Sequence, residues 1–95
     1  MTYARKKDVT HNPIAAEFKR LGYSVLDLSA LGRNCPDMLV SKSERTTALV
    51  EVKSGYGKLS PGQEKFRNEW PGLVFVARTA DDVASIDVHI RRLAA

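Results

Sequence analysis

Residues 35–53, CPDMLVSKSERTTALVEVK, place the tightest constraint on what this chain can fold into. They hold two extended runs, Met38–Ser41 and 47–53, joined by a polar turn at 42–45. The runs are rich in β-branched and aliphatic residues, and the short link returns the second beside the first. Side chains alternate faces along a strand, so Glu51 and Lys53 point one way and Val50 and Val52 the other. Leu49 shares the face of Glu51 and Lys53 in an otherwise apolar run from Ala48 to Val52, which predicts a central strand. Asp37 opens the first run. Two acids and a lysine are therefore expected to converge at one edge of the sheet.

That convergence has a chemical use. Two carboxylates a few ångströms apart repel each other, and a hard divalent cation that prefers oxygen ligands removes the repulsion. Such a cation lowers the pKa of a bound water and neutralises charge on a phosphoryl oxygen, and an ammonium beside it orients the nucleophile or offsets negative charge. Lys53 suits the last role. The plain alternative is that Asp37 caps a turn while Glu51 and Lys53 form a solvated strand face.

The Pro36-Asp37 pair, the polar spacer and the Glu51-Val52-Lys53 tripeptide resemble the signature of the PD-(D/E)xK nucleases, and in particular the small phage-type VRR-NUC branch. The resemblance extends to LGYSVLDLSALGRNCPD at 21–37, LSPGQ at 59–63 and EWPGLVFVARTADDV ending at Val83, which is most of the chain. It implies a restriction-endonuclease-like core and metal-dependent cleavage of DNA. Asp37, Glu51 and the Val52 carbonyl would hold Mg²⁺ or Mn²⁺, and Lys53 would position or activate the attacking water. It also implies an acid from the first helix in the metal site, for which Glu17 is the matching residue, and an active-site role for Gln63. Glu17 equally fits the border of an amphipathic stripe.

The rest of the chain fits one α/β domain of 95 residues. Residues 1–9 show no apolar period and carry Arg5, Lys6 and Lys7 in a row, which reads as a flexible basic arm, either a solubilising tail or a phosphate contact. Residues 10–95 form the folded domain. Its first helix is signalled by Thr10 or Asn12 as N-cap, Pro13 in the first turn, and Ile14, Phe18 and Leu21 at helical spacing, with Gly22 as the terminator. His11 would face the sheet if the helix begins at Thr10, although a lone histidine is usually structural. Residues 23–28 alternate into a strand, and the loop that follows holds Arg33, near enough to Asp37 for a phosphate contact if it is not simply a surface arginine.

After Lys53 comes a glycine-rich loop, SGYGKL, in which Tyr56 and Lys58 are candidates to stack on a base or contact a nucleic-acid backbone, or are parts of an ordinary turn. Ser60-Pro61-Gly62-Gln63 reads as N-cap, first-turn proline and capping-box glutamine. Gln63, Phe66 and Trp70 fall on one helical face, so the amide also points toward the sheet near Lys53. Pro71-Gly72 ends that helix, and 73–77 is a short apolar strand. Thr79 is the expected cap of a last helix with Asp81 and Asp82 in its first turn and Val83, Ile86, Ile90 and Leu93 along its stripe. A strand through Ile86, Val88 and Ile90 is the competing reading.

The predicted order is αβββαβα, a mixed four-stranded sheet flanked by helices. No run reaches the length of a membrane helix and the N-terminus lacks a secretory h-region. Cys35, the only cysteine, is read as a packing residue in a reducing cytoplasm, that of the host if the gene is a phage's. The net charge of +4 suits a polyanionic partner without requiring one. The expectation is a Mg²⁺- or Mn²⁺-dependent endonuclease for branched DNA such as Holliday junctions, acting as a two-fold homodimer. A non-catalytic basic nucleic-acid-binding module, or a nuclease subunit of a larger assembly, are the rivals.

Overall fold

The computed structural model describes residues 11–95, with side chains from Asn12 onward. The basic arm with Arg5, Lys6 and Lys7, the Thr10 cap and the side chain of His11 therefore lie outside the described residues. The elements are α1 (His11–Arg20), β1 (Ser24–Asp27), β2 (Met38–Ser41), β3 (Thr47–Val52), α2 (Pro61–Glu69), β4 (Val74–Ala77) and α3 (Asp81–Ala94). This is the α/β order expected from the sequence. Asn12 is not an N-cap, because the helix already includes it.

The sheet order is β1-β2-β3-β4. The first three strands form an antiparallel meander, with Leu26 opposite Leu39 and Leu39 opposite Leu49, and β4 returns parallel to β3 through the α2 crossover. β3 is thus central, and all its residues after Thr47 are buried. One face of the sheet gives Met38, Val40, Val50, Val52 and Ala77 to a core completed by Ile14 and Phe18 of α1 and Val83, Ile86 and Ile90 of α3. Each fully buried aliphatic or aromatic side chain in that layer contributes about 1.5–3 kcal/mol. α2 lies on the other face and buries none of its residues fully. Phe66 and Trp70 stack on each other with ring centroids 5.3 Å apart, and Trp70 stays half exposed.

Two helix ends carry the geometry. At the end of α1 the Gly22 N–H donates to the Lys19 carbonyl and the Tyr23 N–H to the Phe18 carbonyl, each at 3.0 Å, with Gly22 at φ +96°. This is a Schellman motif, and the edge-to-face pair of Phe18 and Tyr23 supplies its apolar contact. The start of α3 differs from expectation. Ala80 occupies the N-cap without a side-chain bond, and Thr79 is not the cap. Asp82 turns back instead, its Oδ2 accepting from the backbone N–H groups of Arg78 at 2.7 Å and Thr79 at 3.1 Å.

α3 is a helix to Ala94, but Leu93 leaves the core and is exposed. Asp87, on the other hand, is buried within the stripe, where Tyr23 Oη donates to it at 2.7 Å and Arg91 Nε at 3.1 Å. Burial pushes its pKa up, yet Tyr23, Arg91 and Lys42 together outweigh that and hold it below the usual carboxylate range. This pin joins α3 to the start of β1.

Replacing Gly22 by Ala adds a Cβ with no close contact except the Lys42 side chain at 3.6 Å, so the cost is the left-handed backbone itself. The expected loss is about 1–2 kcal/mol in urea denaturation, with a smaller loss for Gly22→Asn.

Candidate metal and catalytic site

Register places the acids. Met38 pairs with Val50 across the β2–β3 ladder, so continuing the antiparallel pairing by one residue sets Asp37 directly opposite Glu51. Both stand on the sheet face away from the α1–α3 core, the face of Leu39 and Leu49. Leu28 N–H donates to the Asp37 carbonyl at 2.8 Å and fixes the residue's backbone where β2 begins. Asp37 Oδ2 accepts from the Val52 N–H at 2.6 Å. A residue's N–H and C=O point to the same side of an extended strand, so the Val52 carbonyl is aimed at the same gap.

Glu51 is 6% exposed. Like charges directly opposite one another destabilise a sheet, and burial raises the cost further. Burial first, then the Asp37 charge and a hydrogen bond with Asp37, push the Glu51 pKa up to about 7, while the nearby Lys53 charge pulls the other way. Burial and the facing acid thus favour the protonated form of Glu51. Cys35 is also near, since burial and the charges of Glu51 and Asp37 raise its thiol pKa.

Gln63 serves two of the roles open to it at once. The Ser60 hydroxyl accepts from the Gln63 N–H at 3.1 Å and Gln63 Oε1 accepts from the Ser60 N–H at 2.9 Å, a complete capping box. Its remaining polar group, Nε2, donates to Glu51 Oε1 at 2.9 Å. The cap thus fixes the amide's orientation, and the amide fixes the carboxylate. A small cavity at this point is lined by Glu51, Gln63, Asn34 and Pro36.

Lys53 follows β3 on the face of Glu51, half-buried, with its N–H donating to the Ala77 carbonyl at 3.1 Å. Glu17 is not brought to the pair. Both its oxygens accept from Arg20, at 2.8 and 2.6 Å, and that guanidinium holds its carboxyl below the usual range. Among the described residues, no group of three or more His, Cys, Asp or Glu side chains is placed to hold a metal ion. The border of an amphipathic stripe is therefore the reading of Glu17 that this geometry favours. Arg33, Tyr56 and Lys58 are exposed in the loops on either side of the hairpin.

Two residues near the site were not singled out for it. Asn34 lines the cavity and lies so close to Gly62 that a Cβ there would meet its amide. It is preceded by Arg33, and both adopt left-handed backbone, at φ 67° and 52°, which is uncommon for arginine. The GRN tripeptide carried a turn signal for Asn34, but its contact with α2 has none in sequence. Arg78, just past β4, donates from Nη1 to the carbonyls of Gly55 at 3.0 Å and Gly57 at 2.6 Å.

The donor set fits a hard cation. Two carboxylates and a peptide carbonyl are oxygen ligands, and Mg²⁺ commonly takes one or two carboxylates and fills its octahedron with water and phosphate oxygens. Among the described residues, no helix is long and apolar enough to cross a membrane.

The raised Glu51 pKa fixes the sign of a pH effect. Between about 4.5 and about 7 the folded chain retains a proton that the unfolded chain has released. Metal-free stability should therefore fall as pH rises through that window, by on the order of 3 kcal/mol at most. Urea denaturation in EDTA from pH 5 to 7.5 checks this, and Glu51→Gln is expected to flatten the slope.

No family model, curated protein or solved structure matches this chain, so the reading of the site rests on its own residues and their order.

Proposed function

We propose that this chain is a Mg²⁺- or Mn²⁺-dependent endonuclease that hydrolyses phosphodiester bonds in DNA, with branched DNA such as four-way junctions as its substrate. The observation that carries the reading is the placement of Asp37 opposite a buried Glu51, with Lys53 on the same face and the amide of Gln63 on Glu51. The resemblance of the ordered motifs supports the same chemistry. A surface for binding alone gains nothing from two acids facing each other beside a phosphate.

Asp37, Glu51 and the Val52 carbonyl would hold the cation. When bound, the ion supplies Lewis acidity at the phosphoryl oxygen and a more acidic water. The chain's own groups do the rest. Gln63 keeps one Glu51 oxygen occupied and so turns the other toward Asp37. The Val52 N–H does the same for Asp37. Lys53 brings an ammonium to the face where the phosphate and the attacking water meet, where it orients the water and offsets charge on the phosphate. Arg33 and Lys58 add phosphate contacts that position the strand without reading its bases. Resolving a four-way junction takes two symmetry-related nicks, so the proposal extends to a two-fold homodimer.

Incubation with Mg²⁺ or Mn²⁺ and a panel of linear, flap, single-stranded and four-way DNA tests the activity. Asp37→Ala, Glu51→Ala and Lys53→Ala are each expected to lower cleavage by a factor on the order of 10² or more. Full cleavage by the Glu51 variant would remove the metal site from the mechanism. Gln63→Ala should lose activity beyond its stability cost of about 1 kcal/mol for a weakened cap. Mn²⁺ should raise Tm for the native chain and leave Glu51→Gln unmoved, because only a cation bound to the folded state stabilises it. Light scattering decides the dimer: a 10.5 kDa species that cuts both strands of a junction in one encounter excludes it.

A further inference from the structure

The loop between β3 and α2 is held in an unusual way. Gly57 N–H donates to the Ser54 carbonyl at 2.9 Å and closes a tight turn, with Gly55 at φ +51°, where a side chain would be strained. Arg78 then clasps the peptide groups on both sides of Tyr56, through the carbonyls of Gly55 and Gly57. Arg78 is itself anchored, because its backbone N–H is bound by Asp82. The ring between the two clasped groups is fully exposed, at 101%. A loop left to itself gains about 2 kcal/mol by burying such a side chain. Here the hydrogen bonds fix a backbone that displays it.

Beside this loop runs a trough of about 590 Å³ lined by Lys58, Arg67 and Arg78, with Phe75 and Val76 of the edge strand β4. Of its acids, Asp82 is committed to the backbone N–H groups of Arg78 and Thr79, leaving Glu64 against three cations. The trough shares Leu59, Arg67 and Val76 with the small cavity at Glu51 and Gln63, so the two lie side by side. Spaced cations beside an exposed aromatic ring form the combination that binds single strands: phosphates track the cations and a base stacks on the ring. A base still stacked in a duplex offers no free face to such a platform. A polar, cation-lined channel is a poorer fit for a protein partner, whose contact would need an apolar centre.

We infer that Tyr56 and the trough form a subsite for an unpaired DNA strand beside the acid pair, and that Arg78 is the positioning residue that holds Tyr56 in place to stack. The inference rests on the nuclease reading for the identity of the strand. It adds the subsite and the role of Arg78.

The test is fluorescence titration of the full chain, in EDTA so that no cleavage intervenes, with an oligonucleotide carrying 2-aminopurine in a single-stranded tract. Binding is expected to quench the probe. Tyr56→Ala should weaken binding about tenfold and abolish quenching, whereas Tyr56→Trp retains both. Arg78→Ala should lose the quenching although Tyr56 is present, and adding Tyr56→Ala to it should cost nothing more. Arg78→Lys, which can still donate to a carbonyl, should restore part of the quenching and serves if the alanine variant does not fold. Lys58→Ala and Arg67→Ala should each lower the salt dependence of binding while quenching persists. Unchanged quenching in Tyr56→Ala, additive losses in the double variant, or equal losses on fully paired DNA would overturn the subsite. Failure of the native chain to bind the single strand, or binding of a protein at the trough instead, would do the same. Cleavage of the DNA panel with Mn²⁺ is measured in parallel. Cleavage without stacking removes the subsite alone, and stacking without cleavage or a Mn²⁺-dependent Tm shift removes the nuclease reading alone.

Discussion

A carboxylate in the most buried strand of a small protein is expensive, and the structure around Glu51 is arranged about that cost. β3 is flanked by β2 and β4, and its Ala48, Val50 and Val52 fill the layer against α1 and α3. The one charged residue within the strand sits at its end, opposite a second acid. Neither position is chosen by stability, since a leucine or valine at 51 would extend the apolar face of Leu49 without any repulsion. The fold absorbs the cost by three means. The raised pKa of Glu51 favours its uncharged form, the Gln63 amide satisfies one oxygen, and the Val52 N–H satisfies one oxygen of Asp37. Under the proposed function, a cation would meet a pair already held in place, as preorganised catalysis requires.

The supports divide between the two sheet faces. The α1–α3 face is packed tightly and pinned by Asp87, Tyr23 and Arg91. The α2 face is looser, with Trp70 half exposed and a groove of about 440 Å³ between that ring, Leu39 and Leu73. The asymmetry suits the assignment of roles. The tightly packed face holds the strand ends in register, and the looser face carries the side chains and loops assigned to the proposed site. Gln63 belongs to both parts, because the same side chain starts α2 and holds Glu51. An aspartate or a shorter amide there could complete one bond set but not the other.

The sequence by itself determined the element order, the central place of β3 and the common face of Leu49, Glu51 and Lys53. These follow from local rules: alternation in a strand, helical spacing of Ile14 and Phe18, the Gly22 terminator and the Ser60–Gln63 cap. Strand ends moved by a residue or so, as at β1 and β4, because ladder pairing rather than propensity ends a strand. Local rules also misplaced the cap of α3. Thr79 had the right chemistry for a cap, but the helix begins one residue later, with Ala80 at the N-cap, and Asp82 reaches back to the N–H groups of Arg78 and Thr79. Leu93 continued the stripe in sequence, yet it lies exposed at an open groove beside Leu73, Val74 and Phe75.

Only the tertiary structure decided which acids meet. Glu17 and Asp37 were both candidates for the company of Glu51, and a charge pattern cannot tell a partner three residues away from one across a sheet. Arg20, one turn along α1, takes Glu17, while antiparallel register delivers Asp37. The grip of Arg78 on the loop around Tyr56 and the contact of Asn34 with Gly62 were equally invisible, since each joins segments more than twenty residues apart through a single side chain. Periodicity reports which face a residue takes within its own element. Which partner it finds on that face depends on how the elements pack, and that is a property of the assembled sheet.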